Sequence, residues 1–256
     1  MQKKFISIAG ILAAGVTAVL WLTFSLQTAS GAVAGVQTDV LYDGRLGTLP
    51  AAQGFTYLEF PAGATQTISN GGVILDTTAS AGISAGYFNR AEQTPTLDRS
   101  QGFTVTLTTR ILAESHLNNN RAGFSLIVLS SDLKGLELGF WSNEIWAQDD
   151  DSQDPGNLFT HAEGVAFATT TAVTTYTLHI ITDTYTLSAA GAPILSGPVR
   201  DYTNFSGFPD PYETPNLIFL GDDTTSAAGR AQLNHVSVTT HPDAPYRTFL
   251  PYVSRE

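Results

Sequence analysis

"KGLELGFWSNEIWAQDDD", residues 134–151, alternates, turns, and alternates again. With Ser142-Asn143 as the turn, antiparallel pairing sets Trp141 opposite Glu144, Gly139 opposite Trp146 and Glu137 opposite Gln148. Side chains alternate across a strand, so parity sorts the hairpin into two faces. Leu136, Leu138, Phe140, Ile145 and Ala147 share one face, which reads as core. Glu137, Trp141, Glu144, Trp146 and Gln148 share the other. That second face joins two indoles, two carboxylates and an amide. Indoles offer flat apolar area to the C–H face of a sugar ring, and carboxylates and amides bind its hydroxyls. These five residues are the expected ligand contacts. An ordinary hairpin stays open as the alternative, with Trp146 covering the bare backbone of Gly139.

The same period-2 pattern runs along most of the chain. In "GFTVTLTTRI" (102–111), Phe103, Val105 and Leu107 oppose Thr104, Thr106, Thr108 and Arg110. "GFSLIVLS" (123–130) is nearly continuous apolar, as in a strand buried on both faces. "TTYTLHIITDTYTLSAA" (174–190) alternates twice around Thr182-Asp183, a second hairpin. "NLIFLGDD" (216–223) and "AQLNHVSVTT" (231–240) close the series. The wealth of Thr, Val, Tyr and Phe suits strands. Gly, Asn, Asp and Pro gather in loops such as "SNGG" and "NFSGFPDPYETPN". After the first 32 residues nothing has convincing helical spacing. An all-β sandwich or barrel follows.

The strand order "GFTVTLTTRI", "RAGFSLIVLSSDLKGLELGFW", "TYTLHIITDTYTLSAAGAPIL" and "IFLGDDTTSAAGRAQLNHVSV" resembles the concanavalin A-like lectin/glucanase superfamily, including its laminin G-like domains. The likeness covers about residues 38–240. It implies a jelly roll of two antiparallel sheets, with ligands on the concave sheet or its rim. It carries no catalytic signature. Hydrolases of that superfamily resembling laminarinase place Glu-x-Asp-x-x-Glu on one strand, whereas Glu137 is followed by Leu138, Gly139, Phe140 and Trp141. The carboxyls of glycosidases stand about 5–9.5 Å apart. Glu137 and Glu144 are four strand positions apart, roughly 13 Å. Sandwich lyases resembling the alginate lyases use Arg, Gln, His and Tyr, which makes Arg110, His179 and Gln148 the catalytic candidates. His235 is a weaker one.

The acidic loop "DDDSQDPG" (149–156) offers Asp149, Asp151 and Asp154 as ligands for a structural Ca²⁺, although its spacing is not that of an EF-hand. Asp222-Asp223 is a second candidate. Zinc has neither a Cys cluster nor a His pair to hold it, and phosphate binding lacks a glycine-rich strand-to-helix loop. No soluble cofactor is expected.

Lys3 and Lys4 precede an uncharged, mostly apolar run from Phe5 to Leu26, and "TASGA" follows. This reads as a secretory signal peptide cut after Ala32. The run is also long enough to cross a bilayer, so an uncleaved anchor is the alternative and the expected route to a membrane. Either way residues 33–240 are expected as one exported domain, followed by a tail, 241–256. That tail, "HPDAPYRTFLPYVSRE", resembles terminal tails of secreted bacterial proteins. The chain has no cysteine and a net charge of −11. Such a surface repels nucleic acid and anionic lipid. The expected protein is therefore an extracellular or cell-surface, non-catalytic glycan binder. A polysaccharide lyase or glycoside hydrolase is the alternative, and a structural or adhesion module the third reading.

Overall fold

The computed structural model describes residues 35–69, 71–89, 94–152, 156–207 and 209–241. The leader or anchor (1–32), Asp154 and the tail from 242 onward lie outside the described residues. The described residues form fifteen strands, numbered in chain order, and two short 3-10 turns, Gly44–Leu46 and Pro50–Gln53. Every strand pair is antiparallel.

The first sheet runs from β13 (Ala192–Pro198) through β12 (Thr184–Ala189), β11 (Thr174–Ile181), β6 (Phe103–His116), β15 (Ala227–Thr240) and β4 (Gly72–Asp76) to β3 (Thr65–Ser69). β1 (Gln37–Asp43) also pairs with β15. The second sheet runs from β10 (His161–Ala166) through β9 (Glu144–Gln148), β8 (Gly135–Phe140), β7 (Ser125–Leu129) and β14 (Ile218–Asp222) to β5 (Ser84–Asn89) and β2 (Thr56–Phe60). Both expected hairpins are present, β8–β9 and β11–β12.

Between the sheets lies one apolar core. Phe103, Val105 and Leu107 of β6 and Leu178 and Ile180 of β11 enter it from the first sheet. Leu136, Leu138 and Phe140 of β8, Ile145 and Ala147 of β9, and Ile218 and Leu220 of β14 enter from the second. Fully burying one such large side chain stabilises by about 1.5–3 kcal/mol. In β15 the register shifts between Leu233 and His235. This bulge moves the inward positions from Ala231 and Leu233 to Val236 and Val238. Period 2 thus breaks in that strand without breaking the core.

β7 is buried along its whole length, as its unbroken apolar sequence requires. Its outward side chains, Ile127 and Leu129, form a second cluster with Tyr202, Tyr212 and Leu217. The segment 199–217 folds over this part of the second sheet's outer face, and Phe159 and Phe205 pack in beside it.

Candidate functional site

The hairpin keeps the expected register: Gly139 pairs with Trp146, and the Trp141 amide donates to the Glu144 carbonyl at 2.9 Å. Its second face is not an open platform, however. Glu137 and Gln148 are each 2% exposed, Trp146 is 0% and Trp141 9%. Segment 199–217 covers the first two. Neighbouring histidines cover the indoles: His116 stacks on Trp141 at 4.2 Å between centroids, and His161 on Trp146 at 4.3 Å. Glu144 is the half-exposed member, and it bonds His161 Nε2 at 3.1 Å. Trp146 lies between two glycines. A Cβ on Gly139 would come within 2.8 Å of its ring, and one on Gly164 within 3.1 Å of its own Cβ. Gly139→Ala should therefore cost about 1–3 kcal/mol, as overpacking does. Chemical denaturation of the two proteins checks it.

Arg110, His179 and Gln148 do not come together. The first two point outward from β6 and β11 in the first sheet, while Gln148 points outward from the second, so the whole sandwich separates them. Arg110 Nε donates to the Thr170 carbonyl at 2.8 Å, and His179 Nδ1 lies 3.1 Å from Thr104 Oγ1. Glu137 and Glu144 do not meet either. In the acidic loop Asp149 and Asp151 spend their carboxylates on the loop's own backbone. Asp149 accepts from the Asp150 amide, and Asp151 from the amides of Gly156 and Asn157. Burial opposes ionisation of Asp150, but hydrogen bonds from Ser152 and the Asp201 amide outweigh it and hold the group below the usual range. Among the described residues no group of three or more Asp, Glu, His or Cys is arranged to hold a metal.

What the sheet does bring together was only partly visible in the sequence. One cross-strand row on its outer face reads Leu58, Gly86, Gly221, Ser125, Gly139, Trp146, Gly164. Its centre is small side chains. The row on one side contains Phe219, Ile127 and Glu137. Asp223 follows β14 on the other side. Ser125 is small, and Glu137 and Asp223 act on each other's ionisation across it. Ser125 Oγ donates to Asp223 at 3.1 Å, Gln148 Nε2 to Glu137 at 3.2 Å, and the Tyr212 hydroxyl also donates to Glu137. Glu137 is buried, and Asp223 is exposed as a residue although its carboxyl is desolvated. Desolvation, and then the charge of Asp223, push Glu137 well above the usual carboxylate range. Desolvation also raises Asp223. Asp222, facing inward against Thr77, is pushed up to about 8 by burial.

Beyond Asp223 the outer face is open. Phe60 is 74% exposed and Leu58 51%. Both point outward from β2, since Tyr57, of the opposite parity, packs on the core. Ser84, the partner of Phe60, donates its hydroxyl to the Thr224 carbonyl at 2.8 Å. "TYLEF" gave no hint of this, because its alternation does not separate apolar from polar residues.

No family model matches the chain, and no curated protein matches it. Solved structures do. The carbohydrate esterase vb_24B_21 from the Shiga toxin-encoding bacteriophage phi24B is 13% identical, covering 81% of this chain and 100% of its own, with a TM-score of 0.54. A protein of unknown function with a galectin-like fold from Bacillus subtilis is 9% identical over the same shares, with a TM-score of 0.50. At these identities the likeness is one of fold, and the fold is the concanavalin A-like, galectin-like jelly roll.

Proposed function

We propose that the protein is an exported, non-catalytic glycan binder whose ligand lies on the open part of the second sheet's outer face. The observation that carries this reading is the pair of large exposed apolar side chains, Phe60 and Leu58, on the face where Asp223 follows β14. Large exposed apolar side chains beside a hydroxyl-binding group are what a sugar ring needs. The carbohydrate-directed activity named for the phage esterase supports sugar as the ligand class. The hairpin indoles pack the wall of this face rather than form its platform. A glycan array should give hits with the wild-type protein, and Phe60→Ala should weaken them at least tenfold, about 1.4 kcal/mol. No hits, or hits indifferent to Phe60, would refute the site. Turnover in a parallel assay for released reducing ends and unsaturated uronates would replace binding with catalysis.

A further inference from the structure

We propose that the cleft at one end of the sandwich, where the turn before β6 meets the β7–β8 and β11–β12 turns, binds a single sugar ring that carries no negative charge. The inference goes beyond the Phe60 reading and does not rest on it. Phe60 pairs with Ser84, at the end of the second sheet where β7 begins with Ser125. The cleft lies where β7 ends. The two places share no residue and stand at opposite ends of that sheet.

The cleft encloses about 200 Å³ and is lined by Asp98, Arg99, Ser100, Ser131, Asp132 and Thr182. That is room for about six waters at ~30 Å³ each, or for one sugar ring. Turns from both sheets build it, and backbone bonds fix them to one another. The Ser131 amide donates to the Leu97 carbonyl at 2.9 Å, and the Thr182 amide to the Arg99 carbonyl at 2.7 Å. The Arg99 side chain ties the same walls. Its Nε donates to Asp132 at 2.8 Å, and its Nη1 to Asp183 and to the Thr182 carbonyl, each at 2.6 Å. A guanidinium already held in this way leaves little side-chain freedom to lose when a ligand arrives.

The groups left over are those that read hydroxyls. Among the described residues, Arg99 Nη2 and the hydroxyls of Ser100 and Ser131 remain as donors. Asp98 accepts the Ser100 amide at 2.8 Å with one carboxylate oxygen and keeps the other as an acceptor. A sugar hydroxyl both donates and accepts, so one ring can meet the arginine, the serines and the aspartate together. The lining has no large apolar side chain, which excludes an apolar ligand. Charge narrows the class further. Asp98, Asp132 and Asp183 surround one guanidinium, on a chain whose net charge is −11. A uronate or a phosphate is therefore repelled.

Hydrogen bonds exchanged with water contribute little net free energy each. Without an aromatic platform, a free monosaccharide should occupy the cleft only in the millimolar range. A site of that strength acts by adding to a second contact on the same polymer, which raises avidity without any new bond.

Amide NMR spectra of the isotope-labelled protein test it. The probes are D-glucose, D-galactose, D-mannose, D-xylose and N-acetyl-D-glucosamine. At least one should shift the amides of Ser100, Ser131 and Thr182 saturably. The corresponding uronate should bind about tenfold more weakly. Ser131→Phe fills the cleft from an exposed position, so it should abolish the shifts and leave the melting temperature unchanged. Asp98→Asn keeps the bond to the Ser100 amide and should narrow the gap between neutral sugar and uronate. Arg99→Ala is not the deciding variant, because it also unties the turns. No saturable shift with any of these sugars at about 100 mM, where a millimolar site is filled, would overturn the inference. Shifts that survive Ser131→Phe would overturn it too. So would calcium chloride moving these amides while no sugar does, which would make the cleft a cation site. Sugar-induced shifts confined to the amides around Phe60 would overturn it and leave the glycan-binding face standing. Shifts confined to the cleft would support it and sink that face.

Discussion

Trp146→Ala should lower folding free energy by about 3–5 kcal/mol, the cost of emptying a large packed site. The indole is fully buried, stacked on His161, tilted against Trp141 at 5.5 Å, and laid over the bare backbone of Gly139. Glycine on both flanking strands means that no neighbouring Cβ can fill the hole. Urea denaturation should show a lower midpoint with an unchanged slope. Trp141→Ala should cost less, because that ring reaches the surface and its Nε1 bonds the Arg121 carbonyl, which water can satisfy once the ring is gone. Near-equal stability of wild type and Trp146→Ala would mean that the indole is not the packing element described here. Glycan affinity of folded Trp146→Ala should stay close to wild type, since the open part of the face lies across β7 and β14.

Glu163→Ala should cost about 3 kcal/mol, at the low end for breaking a buried ion pair because Glu163 is itself partly exposed. Its carboxylate meets Arg200 Nη2 at 2.6 Å and the Tyr185 hydroxyl at 2.8 Å. Arg200 is almost fully buried, and its remaining side-chain bond is to the Gln148 carbonyl at 3.3 Å. Removing the glutamate strands a guanidinium. Adding Arg200→Met to Glu163→Ala should recover part of the loss, and that recovery distinguishes an uncompensated charge from lost packing. A double variant as unstable as the sum of the two single variants would refute the account. Arg200 also begins the segment that covers the sheet, and its backbone pairs with Gly135. Loosening it should therefore be felt at Tyr202 and Tyr212.

The hairpin register was legible in the sequence because one face is core. Leu136, Leu138, Phe140, Ile145 and Ala147 leave a single parity that buries them all. The fate of the other face was not legible. Parity says which way Trp146 points and nothing about what lies above it. His161 lies over that indole, and Tyr202 and Tyr212, more than fifty positions further along in a stretch of Pro, Asp and Asn that reads as loop, cover Glu137 and Gln148. One signal did exist. "SLIVL" is apolar at every position, so Ile127 and Leu129 needed a cover, and β8 is its immediate neighbour. Extending that cover by one strand would have placed Glu137 underneath it. β3 and β4, β10 and β13 were harder, because their Thr, Ser, Gly and Ala residues carry little apolar alternation. His116 and His161 were missed because their partners are indoles far along the chain. Asp223 stood out as acidic but was grouped with Asp222, although consecutive residues at a strand end face opposite sides.

β15 has a consequence for how the molecule comes to exist. It is the last of the described strands to be synthesised, yet it lies in the middle of the first sheet, pairing with β1, β4 and β6. The earlier strands on either side of it have no direct partner across the gap. Until residue 240 has emerged, β6 carries a bare edge and half of the core lacks one wall. Assembly then waits on contacts between segments as much as 200 residues apart, a topology that closes slowly and late. Over that interval the alternating strands stay open to chaperones and to one another.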